Sequence, residues 1–246
     1  SEKPVDLWEI DGVYYADTLF LDIKESILNN DVPPKLQHYG RKCEQTLTTV
    51  EKDENLNDRM MRLKTQLNEE KTEICTVQMV KIGKILIAVA AEIDARDDEN
   101  NLVEIKCCVR PPQDNPYRVK FNYEVKQRKW WVQSRLVNIK TIAVAWRTEE
   151  GIVDEVQLME TDKIPEICQE HGATWDGNVI ENFLEDILTK MIEFCKKNEN
   201  TLFRFTFHPV TRMISVKQVP EGDTTLVKRI GLVKSGRVGA GEFCCV

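Results

Sequence analysis

Several absences narrow what this chain can do. No apolar run reaches the roughly 18–20 residues that a membrane span requires. The nearest, Ile82–Ile93, is too short and carries Lys84, so a membrane is not expected as a partner. The first residues show no signal-peptide pattern, which points to an intracellular protein, nuclear or cytoplasmic. Histidine is scarce, with His38, His171 and His208 far apart, and no Cys-x-x-Cys pair occurs among the eight cysteines. A zinc site is therefore not expected. Without a secretory leader, the cysteines read as free thiols rather than a disulfide framework. The terminal Phe243-Cys244-Cys245-Val246 is not a prenylation signal, because Phe243 stands where the modified cysteine would have to be. Positive charge is not in excess either. A net charge of −7 speaks against a protein that coats nucleic acid nonspecifically, but not against a nuclease whose metal-binding carboxylates are themselves acidic. What is present, 41% hydrophobic and 30% charged residues over 246 positions, is ordinary for a globular chain able to build its own core.

The patterning predicts an α+β domain. Trp8–Ala16 reads as a strand pair or a turn followed by a strand, and Leu19–Leu28 as a helix. Beyond Pro33-Pro34, the spacing of Leu36, Tyr39, Cys43 and Leu47 predicts an amphipathic helix over 35–49. On it, Gly40 lies one turn before Glu44, on the same face. A glycine there costs about 1 kcal/mol against alanine and marks a close approach. Residues 51–73 read as a solvated helix or a mobile connection. Cys75–Val80 and Ile85–Ala91 are predicted strands turning at Gly83, the second apolar enough for a central strand buried on both faces. A strand over Leu102–Cys108 follows, then a long helix over Tyr117–Val137 and a strand pair over Thr141–Trp146 and Gly151–Leu158. Asn178–Lys197 is a strongly amphipathic helix, and Leu202–Phe207 with Met213–Val219 a closing hairpin. No repeat and no linker interrupts this order, so one domain over residues 1–246 is expected, with allowance for a further segment upstream of Ser1.

The chemistry concentrates in one stretch. Glu92 and Asp94 are two apart on a predicted strand and leave the same face; Glu104 and Lys106 are related in the same way on the next. A hairpin turn at 96–101 would bring both pairs onto one surface. Like charges crowded together are unfavourable, and a hard divalent cation held by oxygens resolves them, Mg²⁺ or Mn²⁺ rather than zinc. One or two such ions bind a phosphate, acidify a water and neutralise the leaving oxygen. A lysine two residues from a metal carboxylate can orient that water. Acidic–x–Lys after an upstream acidic strand is the signature of PD-(D/E)xK nucleases, though a cross-face ion pair on an exposed strand would show the same spacing. Lys126, Arg128 and Lys129 form a basic patch suited to backbone phosphates or a solvated helix face. Trp130 and Trp131 offer rings for base stacking, but adjacent helical residues point about 100° apart, so at least one belongs to the core.

The order of segments from about Trp8 to about Val219 resembles the DXO family of RNA decapping exoribonucleases. Gly40-Arg41-Lys42-Cys43-Glu44 is similar to that family's glycine-to-glutamate helix motif. Glu92-Ile93-Asp94 and Glu104-Ile105-Lys106 resemble its two acidic strand motifs, and Lys129-Trp130-Trp131-Val132-Gln133-Ser134 its tryptophan helix. Leu136 to Val153, with Arg147 and Gly151, follows the family's next strand pair. The resemblance implies a fold of two mixed β-sheets flanked by helices around a PD-(D/E)xK-like core. It implies metal ligands at Glu44, Asp94, Glu104 and the Ile105 carbonyl, with Glu92 reaching a metal directly or through water. Lys106 and Gln133 would position phosphate and water, with Arg128 and Lys129 also on the RNA. The implied activity is removal of incomplete or non-standard RNA 5′ caps (triphosphate, unmethylated and NAD caps), with 5′–3′ exoribonuclease action in many members. RNA 5′ ends, and in some settings a partner exoribonuclease, are the implied partners. Two departures stand out: the family's upstream arginine motif has no counterpart here, and Cys107-Cys108 replace small polar residues after Lys106. They leave open a catalytically weak or inactive RNA-end-binding scaffold, and a DNA nuclease sharing only the core remains a third reading.

Overall fold

The computed structural model describes residues 7–24, 34–48 and 74–220, with single positions 57, 61 and 226. Its elements in chain order are β1 (Trp8–Tyr15), β2 (Thr18–Lys24), α1 (Pro34–Leu47), β3 (Ile74–Ile82), β4 (Ile85–Ile93), β5 (Ala95–Arg96) and β6 (Leu102–Val109). A continuous helical segment follows: α2 (Pro116–Phe121), a π-helical turn (Asn122–Gln127) and α3 (Arg128–Leu136). Then come β7 (Thr141–Arg147), β8 (Val153–Glu160), α4 (Ile164–Glu170), α5 (Gly177–Lys196), β9 (Phe203–His208) and β10 (Met213–Gln218).

The expected α+β class with sheets flanked by helices is what the chain forms. The strands assemble as a β10-β9-β1-β2 sheet, a β3-β4 ribbon and a β5-β6-β7-β8 sheet. Parallel pairing occurs between β6 and β7, and the helical segment α2–α3 is the crossover such a pair demands.

In the first sheet, Ala16 and Asp17 both take left-handed backbone angles (φ 49° and 59°), as a two-residue hairpin loop requires. That turn corrects the expected helix at Leu19–Leu28. Residues 18–24 pair with β1, Val13 opposite Phe20, and the pairing overrides an apolar spacing that also fits a helix; residues 25–28 lie outside the described set. Helix α5 starts at the Asp176 cap, whose Oδ1 accepts from the amides of Asn178 and Val179. It buries Met191 and Cys195 against Tyr14, Phe203 and Phe205 of this sheet.

In the ribbon, Gly83 turns with φ +55°, and any Cβ there would collide with the Glu185 carboxylate. That carboxylate accepts from the Lys84 amide at 2.8 Å, tying the ribbon to α5. The expectation that β4 is buried on both faces is corrected. Val80, Ile82 and Ile93 are buried, but Leu86 is 66% and Met79 57% exposed. A two-stranded ribbon buries one face, so side chains alternate in and out despite the apolar run.

The second sheet is covered on both sides. The crossover and α4 pack Trp130, Trp131 and Ile164 on Ile142, Val144 and Trp146. On the other side α1 sets Cys43 against Ile105, Ala143 and Ala145. Both tryptophans of the 129–134 motif are thus core, 8% and 5% exposed, and neither is available to stack on a base. The predicted helix at Tyr117–Val137 forms, with an internal π turn that the pattern did not show. Residues 51–73 fall outside the described set apart from positions 57 and 61.

Candidate functional site

The expected hairpin forms differently from the simple picture. Strand β4 pairs with β3 along its whole length, Glu92 opposite Cys75, and ends at Ile93. The chain bends at Asp94, and two residues, Ala95 and Arg96, pair with Val103 and Leu102 of β6. The turn is locked by Asp97, whose Oδ1 accepts from the amides of Glu99 (3.0 Å) and Asn101 (2.8 Å). Its Oδ2 accepts from Asn101 Nδ2 at 2.9 Å. The fixed register leaves Asp94 beside β6, where its Oδ2 accepts from the Ile105 amide at 2.8 Å. A strand residue directs its N–H and C=O to the same edge, so the Ile105 carbonyl also faces the edge on which Asp94 lies.

Glu104 and Lys106, two apart on β6, share a face. Lys106 Nζ donates to Glu104 Oε1 at 2.5 Å and to Gln133 Oε1, on α3, at 3.4 Å. Glu104 is the most constrained acid here. Burial, the largest effect, raises its carboxyl above the usual range. Lys106 offsets part of that, and the nearby charges of Asp94 and Glu44 push it up again. Glu44 comes from α1, the residue after buried Cys43. Glu44, Asp94, Glu104, Lys106 and Gln133 are thereby drawn into one neighbourhood from a helix, a bend, a strand and a second helix.

Glu92 is an exposed residue of β4, opposite Cys75 of β3 and two residues before Asp94 at the bend. Around Gly40 there is open space among the described residues, so the expected close approach is not found. Nor do three or more His, Cys, Asp or Glu side chains close around a metal-sized point among the described residues. Lys106 bonds Glu104, and the Ile105 amide holds Asp94. The donor set nonetheless suits a hard divalent cation. It is all oxygen, and a largely desolvated carboxylate beside two more acids has one close ammonium to offset it.

Sequence reasoning passed over a neighbouring assembly. Cys43 and Cys107 pack in one cluster, and their interaction raises the Cys43 thiol and, with Arg147 nearby, lowers that of Cys107. The Arg147 guanidinium lies 4.5 Å from the Tyr39 ring centroid and donates to the Thr148 carbonyl at 2.9 Å. Tyr39 Oη donates to the Glu150 carbonyl at 3.0 Å, and Gly151, at φ +99°, leaves no room for a Cβ against the Tyr39 ring. Together they fasten α1, and so Glu44, to the β7–β8 turn. Arg147 and Gly151 could be picked out in the sequence, but their partner Tyr39 carried no signal.

Beside Gln133 runs a groove of about 630 Å³ lined by Arg128, Lys129, Val132, Trp175 and Ile180. Arg128 and Lys129 thus stand where the basic patch was expected to serve. Lys126 acts instead on Cys108. Of the histidines, His171 stacks on Tyr123, His208 Nε2 contacts Ser215 Oγ at 2.8 Å, and His38 is exposed.

The family model described as RAI1 like PD-(D/E)XK nuclease matches residues 4–231. A Neurospora crassa protein named decapping nuclease RAI1 is 27% identical over 205 residues, covering 74% of this chain and 49% of the relative. The Caenorhabditis elegans decapping nuclease dom-3 is 28% identical over 205 residues, 78% of this chain and 49% of the relative. The chain thus spans about half the length of these relatives. Among solved structures, Candida albicans Rai1 in complex with pU5-Mn²⁺ superposes with a TM-score of 0.68 at 19% identity, covering 94% of this chain and 66% of that one. S. pombe Rai1 in complex with 3′-FADP gives 0.65 at 23% identity, covering 88% and 66%. These structural likenesses speak for the fold, and the family match spans nearly the whole sequence: the chain belongs to the RAI1-like PD-(D/E)XK nuclease family.

Proposed function

We propose that this chain carries the divalent-metal centre of a hydrolase acting on RNA 5′ ends. It would remove incomplete or non-standard caps (5′-triphosphate, unmethylated and NAD caps), with 5′–3′ exoribonuclease action on the exposed end. The observation that carries the reading is the desolvated Glu104 carboxyl set among Asp94, Glu44, Lys106 and Gln133. Relatives named decapping nucleases and a family fold seen with pU5 and Mn²⁺ support it.

Glu104, Asp94, Glu44 and the Ile105 carbonyl would hold one or two Mg²⁺ or Mn²⁺ ions, with Glu92 reaching them through water. A bound ion supplies Lewis acidity toward the phosphate and lowers the pKa of a water. The chain's own part is positional. Asp94, held by the Ile105 amide, presents its other oxygen. Lys106, already between Glu104 and Gln133, would move its ammonium from Glu104 to a phosphate oxygen when the carboxylate turns to the cation, and Gln133 would orient the attacking water. Arg128 and Lys129 would steer the backbone along the groove as point contacts without base preference.

The test is incubation with 5′-triphosphate, NAD-capped and 5′-monophosphate RNA in Mn²⁺. Cleavage that disappears in Glu104→Ala is expected; no product from any substrate, or product unchanged by the substitution, refutes the reading. RNA binding without turnover would identify an RNA-end-binding scaffold, and preference for DNA a nuclease that shares only the core.

A further inference from the structure

On the same face of the second sheet, at its far end, lies a cavity unconnected with the acid cluster. Arg110 lies four residues beyond Lys106, roughly 13 Å along an extended chain. Between them Cys108 and the tryptophan core fill the sheet surface. The cavity measures about 430 Å³, within the range of small-molecule sites.

Its walls are built from three kinds of group. The first is aromatic: Tyr123 stacked on His171 at 4.2 Å, with the largely buried Trp146 contributing little open surface. The second is carboxamide. Asn122 is 3% exposed, and its buried Oδ1 has no hydrogen-bond partner among the described residues. Buried acceptors are rarely left so. Gln157 Oε1 accepts from Trp146 Nε1 at 2.9 Å, which leaves the Gln157 amide nitrogen as a donor. The third is cationic. Arg110 sits 4.9 Å from the Trp146 ring centroid, and Lys163 also lines the cavity. Arg110 is nearly half exposed and Lys163 more so, and each holds one surface carboxylate, Glu155 and Glu160. Such pairs are weak and readily exchanged for a phosphate. The wall that carries Asn122, Tyr123 and Gln127 is the π-helical turn, a distortion that recurs at functional sites.

Rings to cover a flat heterocycle, an acceptor and a donor to read its edge, and cations at the mouth form one chemical pattern. Asn and Gln carboxamides match the paired donor and acceptor of a purine edge. We propose that this cavity is a second binding site, separate from the acid cluster, that takes a purine nucleotide. Its base lies against the aromatic and carboxamide walls and its phosphate at Arg110 and Lys163. The nucleotide is either free or the end residue of an RNA strand.

Calorimetry of the full chain in EDTA tests this, because chelation silences the acid cluster. The ligands are AMP, GMP, ribose 5-phosphate and single-stranded oligoadenylate. Saturable binding of AMP or GMP is expected, none of ribose 5-phosphate, and weakening of about tenfold or more in Asn122→Leu and in Arg110→Ala. Asn122→Leu removes an unsatisfied buried amide, so its melting temperature should not fall, and Arg110→Ala alters a half-exposed side chain. Loss of affinity therefore reports the site and not the fold. Oligoadenylate binding lost in the same variants identifies RNA as the source; mononucleotide binding alone identifies a free ligand. The proposal is overturned if neither purine nucleotide binds saturably. It is equally overturned if both variants leave binding intact, or if Glu104→Gln abolishes it and so places the ligand at the acid cluster. None of these outcomes depends on catalysis.

Discussion

Two buried acids teach opposite lessons. Asp11, in the middle of β1, is wholly enclosed. Burial alone would raise its carboxyl, but Arg204 and Lys24 outweigh that and hold it below the usual range. Arg204 Nε and Nη2 donate to its two oxygens at 2.7 and 3.0 Å, and Lys24 Nζ lies at 3.3 Å. Glu104 has one lysine and two neighbouring acids, and its carboxyl ends above the usual range. Asp11 is complete as it stands, with its charge balanced inside the fold. Glu104 is stabilised in protonated form, or by a cation from outside. The first arrangement is closed within the fold; the second leaves a charge for something else to balance.

The comparison can be broken at either end. The largest expected effect is catalytic: Glu104→Gln should reduce metal-dependent RNA cleavage by about a thousandfold, the several kcal/mol a metal supplies to a transition state, measured as single-turnover rate in Mn²⁺. The same variant should be no less stable than the parent. Next, Asp11→Asn should lower stability by about 3 kcal/mol, because the enclosed carboxylate charge that balances Arg204 and Lys24 is lost. Denaturant unfolding would read this, with cleavage per folded molecule unchanged.

The pH dependences should run in opposite senses. The lowered Asp11 carboxyl contributes stability that is full above its ordinary value of 3.8 and fades as pH falls through the depressed folded value. Asp11→Asn should flatten the acid limb of melting temperature against pH. The raised Glu104 carboxyl favours the fold below its ordinary 4.5 and loses that contribution as pH rises through the elevated folded value. Glu104→Gln should therefore gain on the parent from about pH 5 upward in metal-free buffer. The smallest effect belongs to the groove: Lys129→Ala should weaken RNA binding roughly threefold at low salt and less at high salt, checked by fluorescence anisotropy.

These contrasts also show how far the sequence could be read. Glu104 and Lys106 were legible as a same-face pair because strand periodicity is a local fact, whereas Asp94 reaches β6 from a bend and not from the strand the pattern suggested. Between Glu92 and Asp94 the chain bends, and their two-residue spacing does not announce it. Strand β4 belongs to β3 up to Ile93, and spacing cannot reveal which neighbour a strand will choose. For the same reason Leu19–Leu28 looked helical: the left-handed Ala16-Asp17 turn that folds residues 18–24 onto β1 contains no glycine to announce it. The apolar run of β4 suggested two buried faces, whereas the number of strands in a sheet decides how many faces are covered. Asp11 and Arg204 lie 193 positions apart, and no local pattern pairs them.

The π turn at Asn122–Gln127 also sets the phase of the crossover. An i→i+5 bond holds one residue more than an α-helical turn, so everything beyond it is rotated by about 100° from the course an unbroken α-helix would take. Trp130 and Trp131 face the sheet and Gln133 faces Lys106 because the π turn takes up that extra residue. Forcing the segment into regular α-helix with the same number of residues would swing Gln133 away from Lys106, whereas deleting a single position between 122 and 127 would let regular helix form with every later side chain kept on its face. In aligned relatives, a one-residue gap here would therefore mark the same helix face built without the π turn.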